Sequence, residues 1–338
     1  MTRTGLALGK FAPFHKGHEL LLDTVCADTD RQVFVIYDSP HVTNIPLRVR
    51  ANWIRQRYPN AEVLEVWNGP TRVGLAPDVM EEQVVFLKQI LGKRRITHFY
   101  SSEAYGPHVA MSLGAVNVQV DEARQKYPTS GTEIRKDYFT NREFISHEVY
   151  RDLILKAVFL GAPGSGKSTT VEAAASLLNT NFMPEYGREY WEKHQKERRL
   201  TLSQLEEISI EHRLREDKLV LESNKQLVID TDASTTLIFS EYYHGKSSPT
   251  LSKMADEALS RYDVTFLCLP DFPYIETEDR SGDVVRQDFH SRICDYLKYS
   301  KRPFVELGGS LESRLNKVVR VLNSTSKYPK LIDGRSFD

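Results

Sequence analysis

The run GAPGSGKS at residues 161–168 constrains this chain more than any other segment. It follows a continuously apolar stretch, residues 155–160, of the kind that forms a strand buried on both faces, and it opens a helical pattern over 167–178. In that strand–loop–helix setting it satisfies the P-loop pattern in full. The backbone amides of such a loop form a nest for phosphate oxygens. Gly161, Ala162, Pro163, Gly164, Ser165 and Gly166 would shape the nest, with Thr169 in the first turn behind it. Lys167 would reach the β- and γ-oxygens of ATP, and Ser168 would hold Mg²⁺.

A second phosphate loop precedes it by about half the chain. GKFAPFHKGH, residues 9–18, also lies between a strand pattern and a helix pattern, where amides and the helix dipole favour an anion. Gly9 allows a close turn and Pro13 stiffens the loop. His15 and His18 can donate to the equatorial oxygens of a phosphoryl centre. Two histidines three apart are often surface residues at a helix start. Here Gly9, Phe11, Pro13 and Gly17 surround them in the order of the nucleotidylyltransferase signature, which the segment resembles position for position. PTSGTEIRKD, residues 128–137, resembles the second box of the same pattern, with Thr129 where isoleucine is usual. Ser130 and Thr132 can bond phosphate or cap a helix, and Arg135 offers a planar fork. The implied reaction is adenylyl transfer from ATP by alignment and charge stabilisation, with Lys10, His15, His18, Arg135 and Mg²⁺ as the working groups.

The two loops imply two α/β domains, and 338 residues suit that number. Strands are expected at 5–8, 33–37, 61–67, 96–100 and 116–120, with helices near 19–27, 47–58 and 78–91. Alternation at this spacing predicts a parallel Rossmann-like sheet. The pattern restarts with strands at 155–160, 226–229, 264–269 and 304–307 and helices at 167–178, 203–222, 233–243 and 286–299. Residues 1–147 and 153–325 are therefore expected as the two domains, with 141–152 as their junction and 326–338 as a tail. Lys and Arg total 45 against 46 Asp and Glu, so no global field draws in nucleic acid. The three cysteines, Cys26, Cys268 and Cys294, make no redox or metal framework. No signal segment or membrane-length apolar run appears, so a cytoplasmic protein is expected, without a membrane partner. Self-association is left open.

Other residues are candidates by placement. Trp53, Trp67 and Asn68 could stack on or bond a ring in the first domain, although a Trp on an amphipathic helix more often packs in the core. Ser102, Glu103 and Tyr105 follow the fourth strand at its carboxyl end, where such sheets bind ligands. In the second domain LVIDTD, 227–232, places Asp230 near the metal, with Asp232 toward substrate. MPEYGREY, 183–190, offers Glu185 to orient or deprotonate a hydroxyl and Arg188 to bind phosphate; a solvated charge cluster is the plainer reading. Arg280 and Arg286, both within the polar segment 273–289, are placed like lid arginines.

Taken together, GKFAPFHKGH, SSEAYG, SGTEIR, GAPGSGKS, EYGREY, IDTD and EDRS, in that order, resemble the NadR-type bifunctional nicotinamide mononucleotide adenylyltransferase and ribosylnicotinamide kinase. The resemblance implies that the second domain phosphorylates nicotinamide riboside to the mononucleotide (NMN) and the first adenylylates it to NAD, each with ATP. It places riboside on Glu185, Tyr186, Arg188 and Asp232. IETEDRS and VWNGP depart from the family's usual lid and acceptor segments. Some members begin with a DNA-binding segment; this chain opens at the catalytic strand, so DNA binding is not expected. Two rival readings carry some of the same motifs. One is a phosphopantetheine adenylyltransferase fused to a dephospho-CoA kinase, and the other a nucleotide-sensing regulator with one inactive site.

Overall fold

The computed structural model describes residues 2–72, 74, 76–196, 199–272 and 283–329. The chain divides into two compact units, one holding the residues up to Tyr150 together with Tyr328 and the other spanning Arg151–Lys327. In the first, β1 (Thr4–Gly9), α1 (Lys16–Asp28), β2 (Arg31–Tyr37), α2 (Leu47–Arg57), β3 (Glu62–Val66), α3 (Pro77–Leu91), β4 (His98–Ser101), α4 (Gly106–Leu113) and β5 (Val116–Gln119) alternate, and all but α4 are elements that the periodicity predicts. α5 (Gly131–Lys136) follows, and α6 (His147–Leu153) runs across the junction.

The five strands form one parallel sheet in the order β3-β2-β1-β4-β5. The chain winds outward from β1 to β3 and then crosses to β4 on the other side of β1. The carboxyl ends of β1 and β4 therefore flank the point where strand order reverses, which is where open α/β sheets take ligands. Leu6, Val33, Val35 and Phe99 pack against Val84, Leu87 and Leu91 of α3 and Val109 of α4. That burial ties the sheet to its helices, at roughly 1.5–3 kcal/mol for each large apolar side chain removed from water.

The second unit comprises β6 (Leu155–Leu160), α7 (Lys167–Leu177), β7 (Phe182–Met183), α8 (Tyr186–His194), α9 (Leu202–Leu219), β8 (Gln226–Asp230), α10 (Ala233–His244), α11 (Pro249–Arg261), β9 (Val264–Cys268), α12 (Asp283–Tyr299), β10 (Val305–Leu307) and α13 (Leu311–Ser324). Its sheet is parallel in the order β10-β9-β6-β8-β7. β6, β8 and β9 are buried along their whole length, as their unbroken apolar runs imply. α9 starts on a capping box made by Thr201 and Gln204, and its expected last turn is a separate 3₁₀ turn at Val220–Glu222. No helix of the described residues is long and apolar enough to cross a membrane.

One interruption of the apolar pattern organises the back of this unit. Lys156 is the only charged residue of β6 and is buried. Its Nζ donates to Glu216 Oε1 at 3.0 Å, and the fully buried Glu216 also accepts from Arg261 Nε at 3.0 Å and Tyr262 Oη at 2.9 Å. Three donors on one carboxylate satisfy it away from water, while burial still pulls the Lys156 ammonium below its ordinary pKa. Removing one partner strands the others. Glu216→Ala is expected to destabilise the second unit by about 3–5 kcal/mol, read as a lower urea midpoint. A loss under about 1 kcal/mol would show that Lys156 needs no partner.

Candidate active sites

His15 is the N-cap of α1, and its Nδ1 accepts the Gly17 amide at 3.1 Å. A neutral imidazole that accepts at Nδ1 carries its proton on Nε2, so the ring presents an N–H donor. Burial, helped by Arg124 and Arg135, lowers the His15 pKa to about 4, so the ring is neutral at pH 7. His18 stacks on it with centroids 3.7 Å apart, and its pKa is pushed well below 6.5, chiefly by burial and then by His15. Phe11 packs edge-on against His18 at 4.9 Å. The left-handed turn in this loop falls on Phe11, with φ of 46°, not on Gly9. Gly9 lies tight against the Phe11 ring, which a Cβ there would approach to 3.2 Å. Gly17 is similarly tight: a Cβ would meet His15 Cε1 at 3.0 Å.

The second box closes on the first. Arg135 Nη1 donates to Ala12 O, and its Nη2 bonds Thr132 Oγ1 at 3.0 Å. Ser130 takes the capping alternative, its Oγ accepting the Glu133 amide at 3.2 Å. A further arginine was not singled out from the sequence. Arg50, wholly buried on α2, donates from Nη1 to Lys10 O and to Tyr37 O at 2.9 Å, and from Nε to Ile45 O at 2.9 Å. Lys10 has a lowered pKa through burial and the nearby Arg135, offset in part by Glu103.

The ring-binding candidates separate. Trp53 is 3% exposed and belongs to the core, the alternative its helical position allowed. Trp67 is 49% exposed, and Asn68 has φ of 57° beside a shallow groove with Phe86 and Gln89. Ser102 is half-buried, and the exposed Glu103 meets Arg124 at 3.4 Å. Tyr105 packs against the core, with its ring 6.5 Å from that of Phe99.

In the second unit the P-loop wraps the end of β6. Gly161, Gly164 and Gly166 have φ of 152°, 72° and 78°, which only glycine adopts without strain. Lys167 is buried and donates to Ala162 O at 3.2 Å. Ser168 is half-buried and Thr169 exposed on the first turn of α7. Arg314 of α13, buried and absent from the sequence reading, donates to Ser165 O at 2.7 Å and to Leu269 O at 2.8 Å, and pairs with Asp271.

Asp230 ends β8 almost wholly buried, and neither of its oxygens accepts a hydrogen bond in good geometry among the described residues. Burial first, then Glu185, raises its pKa to about 6, although Lys167 and Ser168 lie close enough to pull it down. Ionising it above pH 6 therefore costs the fold stability that a cation would restore. No cluster of three or more ligating side chains exists among the described residues. Ser168 and Asp230 nonetheless match the two protein oxygens that a phosphate-bound divalent ion takes. Thr231, next in the chain, has φ of 71°, a strained conformation for a β-branched residue, and such strain concentrates at functional sites.

A cavity of ≈ 490 Å³ borders the P-loop, lined by the polar residues Lys167, Glu185, Arg188 and Asp232 and by the aromatic residues Trp191, Phe239, Tyr242 and Tyr243. Asp232 is spoken for: it caps α10 through the Ser234 amide at 2.9 Å and pairs with the buried Arg302 at 2.8 Å. Tyr186 is not among the lining residues; Arg215 covers its ring at 4.0 Å. Arg286 is buried and donates to Phe272 O at 3.1 Å, and Arg280 lies outside the described residues. The aromatic wall was missed because its members sit on helices where aromatic residues read as core.

A family model described as an AAA domain matches residues 156–314. The trifunctional NAD biosynthesis/regulator proteins NadR of Salmonella typhimurium and Escherichia coli K12 are each 28% identical over 323 and 325 residues, covering 90% of this chain and 78% of theirs. Crystal structures of NadR with NAD and AMP-PNP, and with NR, match at TM-scores of 0.55 and 0.57, both at 18% identity. The first covers 100% of this chain and 99% of that one, the second 99% and 98%, and they show a shared fold. The two loop sites, the two parallel sheets and the aligned sequences agree: the chain is a homologue of NadR over nine-tenths of its length.

Proposed function

We propose that the chain is a bifunctional NAD salvage enzyme, with a ribosylnicotinamide kinase in the second unit and an NMN adenylyltransferase in the first. The observation that carries this reading is the joining of two complete phosphate loops, each at the carboxyl end of a central parallel strand, to homology with NadR. The aromatic wall of the kinase cavity suits a pyridinium base, whose positive ring gains from π-faces.

In the kinase step the 5′-hydroxyl oxygen of nicotinamide riboside attacks the γ-phosphorus of ATP, and the bond to the β-phosphate oxygen breaks to release ADP. Glu185 takes the hydroxyl proton, Lys167 and the loop amides hold the phosphates, and Arg188 steadies the transferring group. Ser168 and Asp230 would hold Mg²⁺, which supplies charge neutralisation on the phosphate oxygens. In the transferase step a phosphate oxygen of NMN attacks the α-phosphorus of ATP and pyrophosphate leaves. The Nε2–H of His15, with His18, Lys10 and Arg135, stabilises the charge gathering on the α-phosphate.

His18→Ala is expected to lower adenylyl transfer at least ~100-fold while sparing the kinase, and Lys167→Ala to do the reverse. Product assays with NMN and with the riboside check this, and joint loss from either substitution would contradict separate sites. Gly17→Ala, by pressing a methyl group on His15, is expected to slow only adenylyl transfer, by roughly tenfold. Because Asp230 must ionise to bind the cation, the Mg²⁺ needed for half-maximal kinase rate is expected to rise about tenfold from pH 7 to pH 5. A requirement independent of pH would remove Asp230 from the metal site.

A further inference from the structure

Buried polar atoms without partners are rare in folded proteins, because each forfeits hydrogen bonds it had in water. Four fall together here. Ser209 Oγ, His212 Nε2, Thr231 Oγ1 and Thr235 Oγ1 are buried and unpartnered among the described residues, and all four residues line the kinase cavity. Ser209 and His212 are three apart on α9 and so share a face, and Thr235 stands on the first turn of α10, which packs against α9. His212 lines the same cavity as Glu185 and Asp232, and the charges of Glu216, Asp232 and Glu185 all act on it.

The chemistry of the set is specific. It carries no formal charge, since burial keeps His212 neutral, its pKa held below 6.5 against the pull of Glu216, Asp232 and Glu185. A neutral imidazole and hydroxyls each can donate and accept, which is what a vicinal pair of alcohols offers in return. Asp232, the carboxylate expected from the sequence to meet the riboside, is already occupied by Ser234 and Arg302. We propose that Ser209, His212 and Thr235 are specificity-determining residues that bind the ribose hydroxyls of the acceptor nucleoside. This rests on the kinase half of the proposed function.

The test uses the full chain, with nicotinamide riboside and its 2′-deoxy and 3′-deoxy counterparts as kinase substrates. Wild type, His212→Ala, Ser209→Ala and Thr235→Val are compared, with the urea midpoint of the second unit as the check that each variant is folded. Wild type is expected to prefer the riboside over at least one deoxy substrate by roughly tenfold or more in kcat/KM. Each variant is expected to lose most of that preference, chiefly by slowing on the riboside, with KM for ATP unchanged. Equal slowing on riboside and deoxyribosides would mean a structural role and overturn the inference, as would unchanged preference in all three variants. Wild type inert toward the riboside would overturn the proposed function, and this inference with it.

Discussion

Both phosphate loops depend on guanidinium groups that hold their carbonyl oxygens from behind. Arg50 takes Lys10 O in the first unit, and Arg314 takes Ser165 O in the second. In a planar trans peptide the C=O and the following N–H point in opposite directions. Fixing those carbonyls therefore turns the amides of Phe11 and Gly166 toward the ligand side before any phosphate arrives. Arg135 adds a second tie, at Ala12 O, on the loop that carries the two histidines. Burying an arginine is costly, and these groups tolerate it because several carbonyl or carboxylate oxygens surround each one. Arg50 still feels it, with its pKa lowered to about 10 by burial.

Burial then sets the protonation state of the candidate site residues, with opposite sign in the two units. In the first it keeps His15 and His18 neutral, so in the proposed transferase they would donate hydrogen bonds without adding charge beside Lys10 and Arg135. In the second it raises Asp230, leaving a carboxylate that gains most from a cation. Since the His15 pKa is depressed on folding, its contribution to stability is complete above about pH 6.5 and is lost as pH falls through about 4.

What the sequence revealed follows from how local each signal is. Strands buried on both faces and loops with fixed glycine positions are written in consecutive residues, so the two sheets, both loops and the capping role open to Ser130 were legible. α11 and α13 were passed over although Leu251, Met254, Ala255 and Ala258, and likewise Val318 and Leu322, have helical spacing. Alanines weaken the apolar contrast of the first. The three bracing arginines differ: Arg135 sat inside a motif, whereas Arg50 and Arg314 sit on amphipathic helices, where an arginine reads as surface. Their partners lie 40 and 149 residues away, a separation no window along the chain can see. The same limit hid the commitment of Asp232 to Arg302 and the gathering of Ser209, His212 and Thr235 on one wall.

Two coupled phosphoryl chemistries in one chain have a stoichiometric signature. Purified full-length chain given nicotinamide riboside, excess ATP and Mg²⁺ should form NMN first and NAD after it. One ADP and one pyrophosphate should accompany each NAD, as resolved by chromatography over time. Pyrophosphate without ADP, ADP without NAD, or no product from the riboside while phosphopantetheine is consumed would contradict the account.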